Sequence, residues 1–267
     1  MTAGGAPLAP RRRRRWLQGA LAAAVVVAIA VLWATRAMES SSAVPCRSAL
    51  IPAYLPPDGM ARLADRPVRG RVVVFNPANG PGAEEQAAYR EAVQAVQRSG
   101  TRVLGYVHTT YGERPRAEVS ADVDRYRTWY GVDGVFLDEA ARTASELAYY
   151  RALRDDVRAA GEQLLVLNPG VVPARGYFDI ADIVVTFEGA YADYAAAERR
   201  TPEWLRRLPP DRVAHLVHGA TREQARKVVA EDADAGYVYA TSGSLPDPWS
   251  TLPSDLAEQE ALLAACR

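Results

Sequence analysis

Short apolar runs recur along the chain from Leu50 onwards, and most of them are continuous rather than alternating with polar residues. Continuous runs are typical of strands that are covered on both faces, as in a parallel sheet. We predict eight strands, at 50–54, 72–76, 102–107, 134–138, 164–168, 183–188, 213–218 and 236–241.

Segments with a helical pattern separate most of these strands, at 83–100, 120–131, 143–161, 221–236 and 254–266. Thr143 and Glu146 have the spacing of a capping box, whereas the connections after the first and fifth strands are short of helical pattern. Eight alternations of strand and helix predict a single α/β domain, a (β/α)8 TIM barrel. The alternative is an open doubly wound sheet.

The chain before this domain has a different character. Five arginines at 11–15 precede an apolar run from Leu17 to Ala34, which would measure about 27 Å as a helix. We predict a cytoplasmic basic tail at 1–15, a transmembrane anchor at 16–35, a linker at 36–45 and the barrel at 46–267. The protein would then be a single-pass protein of the cell membrane with the barrel outside. The alternative is a cleaved signal sequence, which would leave the barrel secreted.

The two cysteines, Cys46 and Cys266, lie at the two ends of the predicted barrel. Disulfides persist outside the cell, so we predict that these residues form a bridge; the alternative is two unpaired thiols. A bridge requires the first strand to lie beside the last helix. Closure of a barrel provides that arrangement, which favours the barrel over the open sheet.

Charge and motif content narrow the possible partners. The 32 basic and 32 acidic residues balance, but six basic residues and one acidic residue precede Cys46. The predicted barrel is therefore acidic, which argues against nucleic acid as a partner. Histidine and cysteine spacings do not match a metal site, and phosphate-binding glycine loops are missing from the sequence. We expect no metal and no cofactor.

Polar residues collect at the carboxyl ends of the predicted strands, where (β/α)8 barrels carry their chemistry. Asp138 and Glu139 end the fourth strand, and Glu188 ends the sixth. Two carboxylates that face one cleft indicate glycoside hydrolysis, in which one is protonated and the other is ionised. We therefore select Asp138, Glu139 and Glu188 as candidate catalytic residues.

Aromatic and polar side chains near the same strand ends are candidates for binding a sugar. The two asparagines among them each precede a proline and could instead start turns. The histidines could be ordinary surface residues, and the aromatic rings could pack in the core. The candidates are Tyr54, Asn76, Tyr106, His108, Tyr111, Asn168, His218 and Trp249.

Several motifs in fixed order resemble the spherulation-specific family 4 (spherulin-4-like) proteins: IPAYLPP, FNPANGPG, GYVHTTYG, WYGVDGVFLDE, LNPG and VVTFE. That family is similar to (β/α)8 glycoside hydrolases and includes fungal enzymes that cut N-acetylgalactosamine-rich regions of the exopolysaccharide galactosaminogalactan. The resemblance implies endo-hydrolysis of an α-1,4-linked galactosamine and N-acetylgalactosamine polymer. It also implies that the family's acidic residues are Asp138, Glu139 and Glu188. The arginine-rich anchor departs from the family and suggests a surface-held bacterial form.

Two functions follow from these observations. The first is a membrane-anchored, extracytoplasmic glycoside hydrolase that works as a monomer on an exopolysaccharide. In it Asp138 is the nucleophile or stabiliser, Glu188 is the general acid and base, and Glu139 orients them. The second is a non-catalytic, lectin-like barrel that binds a polysaccharide, which would need the aromatic residues but not the acids.

Overall fold

The structure is a computed structural model that describes residues 1, 47–159, 161, 163–198, 200–231 and 234–265. The predicted anchor at 16–35 and the linker at 36–45 lie outside these residues, as do Cys46, Cys266 and the basic tail beyond its first residue. The predicted bridge between the two cysteines therefore stays a prediction.

The predicted location at the cell membrane is corrected by the structure. Within the ranges that the structure describes, no helix combines the length and the apolar character that crossing a membrane requires. The prediction rested on the pattern at 16–35 alone, and the described part of the chain adds no spanning segment to it.

The strands form one eight-stranded parallel sheet in chain order, and the sheet closes on itself. Ser48, just before the first strand, forms a parallel bridge with Tyr237 at the start of the last. The (β/α)8 barrel is thus confirmed, and the open sheet is excluded. The strands are β1 (Leu50–Ala53), β2 (Val72–Phe75), β3 (Arg102–His108), β4 (Gly134–Asp138), β5 (Leu164–Leu167), β6 (Ile183–Ala190), β7 (Val213–His218) and β8 (Tyr237–Ala240).

Helices cover the outside of the barrel unevenly. Only a 3-10 segment, Arg175–Asp179, lies between β5 and β6, and the first connection holds a helix of five residues, as the weak helical pattern there predicts. The α-helices of the described residues are α1 (Pro57–Ala61), α2 (Ala87–Arg98), α3 (Arg116–Arg125), α4 (Leu147–Ala159), α5 (Tyr191–Glu198), α6 (Glu203–Arg206), α7 (Arg222–Glu231) and α8 (Leu256–Ala264).

Two helix starts differ from their predictions. α3 begins directly after Pro115 and not at Ser120, because the fixed φ of proline suits the position before a helix. Thr143 does not cap a backbone amide; its hydroxyl instead donates to the carboxylate of Glu146. A reciprocal cap does form at Thr221, whose hydroxyl accepts the Gln224 amide N–H at 3.3 Å.

The continuous apolar runs are buried on both faces, as predicted. Every residue of β1 and β2 is buried, and β4 is buried up to Asp138. β4 begins with Gly134 because a Cβ there would lie 2.1 Å from the carbonyl oxygen of Leu164. This close approach joins the amino ends of β4 and β5, and the pairing continues in register to Leu137 and Leu167.

Candidate active site

Asn168 joins two of the candidate catalytic carboxylates. It follows β5, between Asp138 at the end of β4 and Glu188 on β6. Its side-chain nitrogen donates to Asp138 Oδ1 at 2.7 Å and to Glu188 Oε2. Its side-chain oxygen accepts the Gly170 N–H at 3.0 Å, which fixes the orientation of the amide. Two oxygens that share one donor nitrogen lie within about 6 Å of each other.

The surroundings of Glu188 favour its protonated form. Burial raises the pKa of Glu188 to about 7, and the negative charge of Asp138 acts in the same direction. The Asn168 amide and the indole N–H of Trp249 donate to the carboxylate and limit the rise. Glu188 therefore carries a proton for part of the time at neutral pH.

Asp138 has more donors around it. Burial raises the pKa of Asp138 as well, but hydrogen bonds from the Tyr106 hydroxyl, the Glu139 backbone N–H and the Asn168 amide oppose this rise. The charge of His108 opposes it too. Both pKa values are thus raised, but Asp138 has more donors that oppose the rise, and acid–base chemistry on a pair of acids uses unequal surroundings of this kind.

Three of the predicted aromatic residues surround this pair. The rings of Tyr54 and Tyr106 meet edge to face at 5.5 Å. Burial and then the charge of Asp138 raise the pKa of Tyr54. Trp249 is held next to Tyr54, whose backbone N–H donates to the Trp249 carbonyl at 3.3 Å.

The two predicted histidines lie at different depths. His108 ends β3 and is the register partner of Asp138. The ring of His218, at the end of β7, lies 6.1 Å from the ring of Trp249 and perpendicular to it. Burial lowers the pKa of His218, against the charge of Asp193. His108 therefore lies beside the acid pair, and His218 lies one ring further out.

Glu139 and Tyr111 share a strained region. Both residues have left-handed backbone conformations, with a φ of 48° for Glu139 and 55° for Tyr111. Thr110, directly before Tyr111, also has a φ of 48°. The backbone N–H of Tyr111 donates to the Glu139 carbonyl at 2.7 Å, and the Tyr111 ring is 61% exposed. Strained backbone at residues other than glycine concentrates at functional sites. These conformations therefore indicate that the carboxyl ends of β3 and β4 belong to such a site.

Asn76 forms a turn, which is the alternative to substrate binding that the proline after it suggested. Its side-chain oxygen accepts the Gly80 N–H at 3.0 Å, so it closes the loop after β2. Gly80 itself has a φ of 145°, a conformation that favours glycine. The contacts of Asn76 are those of a turn residue.

Two buried residues that contact the acid-bearing turn were missed by the selection from sequence. Thr109 and Tyr150 are fully buried, and the Thr109 hydroxyl lies within 3.0 Å of both the Asp138 and Glu139 carbonyls. Thr109 follows β3, so the strand-end rule could have found it. Tyr150 lies on the core face of α4, where a tyrosine gives no signal of its own. Within the described ranges, no three acidic, histidine or cysteine side chains converge as metal ligands.

Comparisons with known proteins agree on one family. A model of the spherulation-specific family 4 matches residues 49–262. The chain is 28% identical to Spherulin-4 of Physarum polycephalum over 235 residues, which cover 81% of this chain and 70% of that protein.

Solved structures extend the comparison. The crystal structure of Aspergillus clavatus Sph3 in complex with GalNAc superposes with a TM-score of 0.70 at 28% identity, over 84% of this chain and all of that one. A GH18 chitinase from Pseudoalteromonas aurantia superposes with a TM-score of 0.50 at 12% identity, over 82% of this chain and 98% of that one. The second likeness concerns the fold alone.

Proposed function

This chain belongs to the spherulation-specific family 4, and we propose that it is a glycoside hydrolase that acts on a polysaccharide. The observation that carries the proposal is the shared Asn168 amide, which holds Asp138 and Glu188 together at the carboxyl end of the barrel. Burial and the charge of Asp138 raise the pKa of Glu188 to about 7, which suits a general acid.

We further propose an aminosugar polymer as the substrate, an α-1,4-linked chain of galactosamine and N-acetylgalactosamine that is cut internally. The similarity to Sph3, whose crystal structure contains GalNAc, supports an aminosugar. Tyr54, Tyr106 and Trp249 would supply the walls of the subsite at the cleaved bond, because their rings surround the acid pair. His108, His218 and Tyr111 would contact the sugars on either side.

In the proposed mechanism Glu188 donates its proton to the glycosidic oxygen while Asp138 attacks the anomeric carbon. The bond from that carbon to the leaving sugar breaks, and a covalent glycosyl-enzyme forms. Glu188, now ionised, takes a proton from a water molecule that attacks the same carbon and releases Asp138. The donor that both acids share supports this retaining route, for which carboxyl groups lie about 5–5.5 Å apart, over an inverting route, which needs about 6.5–9.5 Å to admit a water molecule.

Glu139 has a different role in this proposal. Its backbone N–H lies near the Asp138 carboxylate and opposes the rise in the pKa of that group. Glu139 thus keeps Asp138 ionised for attack, through its backbone.

The test is the release of reducing ends from a partly deacetylated galactosamine polymer by the full chain. We expect Asp138→Asn and Glu188→Gln each to lower the rate by about 10²–10⁴-fold, the range of acid–base catalysis. Asp155→Asn is the matched control, because Asp155 is an exposed carboxylate on the outer helix α4. It should keep the wild-type rate.

Full activity in Asp138→Asn or Glu188→Gln would overturn the catalytic assignment. Tight binding of the polymer by the wild-type chain without any product would overturn hydrolysis itself, and it would favour the lectin-like alternative.

A further inference from the structure

The loop after β3 is tied to the turn that carries Asp138 and Glu139. The Thr109 backbone N–H donates to the Asp138 carbonyl at 2.9 Å. The Thr109 hydroxyl lies 3.0 Å from that carbonyl and 2.9 Å from the Glu139 carbonyl. The Tyr111 N–H donates to the Glu139 carbonyl at 2.7 Å. Both carbonyls of the acid pair are therefore held from one side by a single loop.

Tyr150 completes this arrangement from α4. Its hydroxyl lies 2.8 Å from the Thr109 hydroxyl and accepts the Ala141 backbone N–H at 2.8 Å. The single hydrogen of Thr109 is used on the carbonyls, which can only accept, so the Tyr150 hydroxyl donates its hydrogen to Thr109. Tyr150 thus links the loop after β3, at Thr109, to the chain just after Glu139, at Ala141.

The peptide group between Asp138 and Glu139 links these contacts to the chemistry. In a trans peptide the carbonyl and the N–H point in opposite directions. Thr109 holds the carbonyl of this group, and the N–H of the same group lies near the Asp138 carboxylate, where it opposes the rise in the pKa of that carboxyl group. A peptide plane that is fixed at its carbonyl is fixed at its N–H as well. The direction of that donor therefore depends on Thr109.

We propose that Thr109 and Tyr150 form a positioning pair that orients the Asp138–Glu139 peptide and, through it, the Asp138 carboxylate. The pair touches no reacting atom and acts through the backbone. It also maintains the left-handed conformations of Thr110, Tyr111 and Glu139, which residues other than glycine rarely adopt. The proposal rests on the proposed function in so far as Asp138 is the nucleophile.

Two substitutions remove one hydroxyl each with little change of shape, Tyr150→Phe and Thr109→Val. We expect kcat to fall about tenfold to a hundredfold, as for a slightly misplaced catalytic group, with KM nearly unchanged. The acid limb of the pH profile should move to higher pH, because the carboxylate loses a well-aligned donor. Thr109→Ser keeps the hydroxyl and should restore both quantities. If Thr109→Val fails to fold, Tyr150→Phe carries the test.

Tyr177→Phe is the matched control. Tyr177 is fully buried, its ring lies 5.4 Å from that of Tyr150, and its hydroxyl donates to the Thr143 carbonyl at 2.9 Å. This variant loses the same kind of hydrogen bond without touching the Asp138–Glu139 turn. Tyr177→Phe should keep the wild-type kcat and the wild-type acid limb of the pH profile. Its melting temperature can fall as much as that of Tyr150→Phe without affecting this comparison.

A second measurement, the pKa of the Asp138 carboxyl group by NMR titration of the full chain, does not depend on turnover. We expect an upward shift in Tyr150→Phe and Thr109→Val, and none in Thr109→Ser or Tyr177→Phe. The other groups that face Asp138 remain in every variant: His108 and Tyr106 from β3, Tyr54 from the loop after β1, Glu188 from β6 and Glu139.

The outcomes separate the two proposals. An unshifted pKa and acid limb in Tyr150→Phe, or equal effects in Tyr150→Phe and Tyr177→Phe, would overturn the positioning pair. A wild-type chain that releases no product, while the pKa of Asp138 still shifts in the two variants, would overturn the proposed function and leave the pair standing.

Discussion

Asn168 donates to both proposed catalytic acids and opposes the rise in the pKa of each. The sequence predicted substrate binding or a turn for Asn168; the structure confirms the turn contact, to Gly170, and adds a second use for the amide hydrogens. Both hydrogens of its amide go to carboxylates, and its oxygen accepts from Gly170. Its amide hydrogens are therefore committed to the acids rather than free for a sugar hydroxyl.

The pH profile should report this arrangement. In the wild-type chain kcat/KM should fall above pH about 7, because Glu188 ionises there and can no longer donate a proton. It should fall at low pH as Asp138 takes up a proton, at a pH above the ordinary value for aspartate because burial raises its pKa.

Asn168→Ala should move both limbs of that profile to higher pH. The Asn168 hydrogen bonds stabilise the ionised forms of Asp138 and Glu188, so their loss raises both pKa values. Asn76→Ala is the control, since Asn76 also follows a strand but only closes a loop. The assignment fails if the limbs of Asn168→Ala stay in place or move to lower pH.

The acids could be found from the sequence but the role of Asn168 could not. Asp138 and Glu188 each end an apolar run, and a charged residue at the end of such a run can be recognised from the sequence. The partners of Asn168 are 30 and 20 residues away along the chain, so their contact exists only after β4, β5 and β6 pack side by side.

At the scale of elements, the loop after β3 presents an aromatic ring to solvent. Tyr111 is 61% exposed and its backbone is fixed to Glu139. An exposed ring on a constrained backbone can bind the face of a sugar without losing much conformational freedom. We therefore expect it to bind a sugar residue on one side of the cleaved bond, at the outer end of the cleft.

Tyr111→Ala should raise KM for a long polymer about fivefold and leave kcat nearly unchanged, which corresponds to a contact of about 1 kcal/mol. Tyr111→Phe keeps the ring and should behave like the wild-type chain. The measurement compares long polymers with short oligomers. An equal loss on both would contradict a distant subsite, since short oligomers would not reach Tyr111.

The elements themselves were largely predictable. β4 and β7 have the predicted bounds, β8 is one residue shorter at each end, and the other strands differ by one or two residues at their carboxyl ends. β6 continues past Glu188 to Ala190 because Gly189 and Ala190 pair with Val217 and His218. That pairing, like the irregular register between Val185 and Phe187, depends on the neighbouring strand and has no local signal.

At the scale of the whole molecule, the first and last elements of the barrel lie together. The Arg47 backbone N–H donates to the Leu263 carbonyl at 3.1 Å, so the start of the barrel lies beside its last helix, α8, as barrel closure requires. Arg71, just before β2, pairs with Glu260 of α8 at 2.6 Å. Both side chains are almost fully buried, at 2% and 3% exposure.

This ion pair lies at the opposite end of the barrel from the acids, because Arg71 precedes its strand whereas Asp138 ends one. Arg71 also donates to the Leu63 carbonyl at 2.6 Å, and the half-exposed Arg66 donates to Glu260 at 2.8 Å. Conservation at this end of a barrel concerns stability rather than catalysis, so a change here should affect folding and spare turnover.

Glu260→Gln should destabilise the fold by about 3–5 kcal/mol, because it leaves the buried Arg71 charge without its partner. The double variant Arg71→Met with Glu260→Leu should regain most of that loss, since no buried charge remains. Glu258→Gln on the same helix is the control: its carboxylate is exposed and pairs with Arg222, so we expect a change of about 0–1 kcal/mol. Urea unfolding measures all three. A purely structural role of the Arg71–Glu260 pair would be contradicted if Glu260→Gln had unaltered stability, or if the folded variant lost kcat/KM.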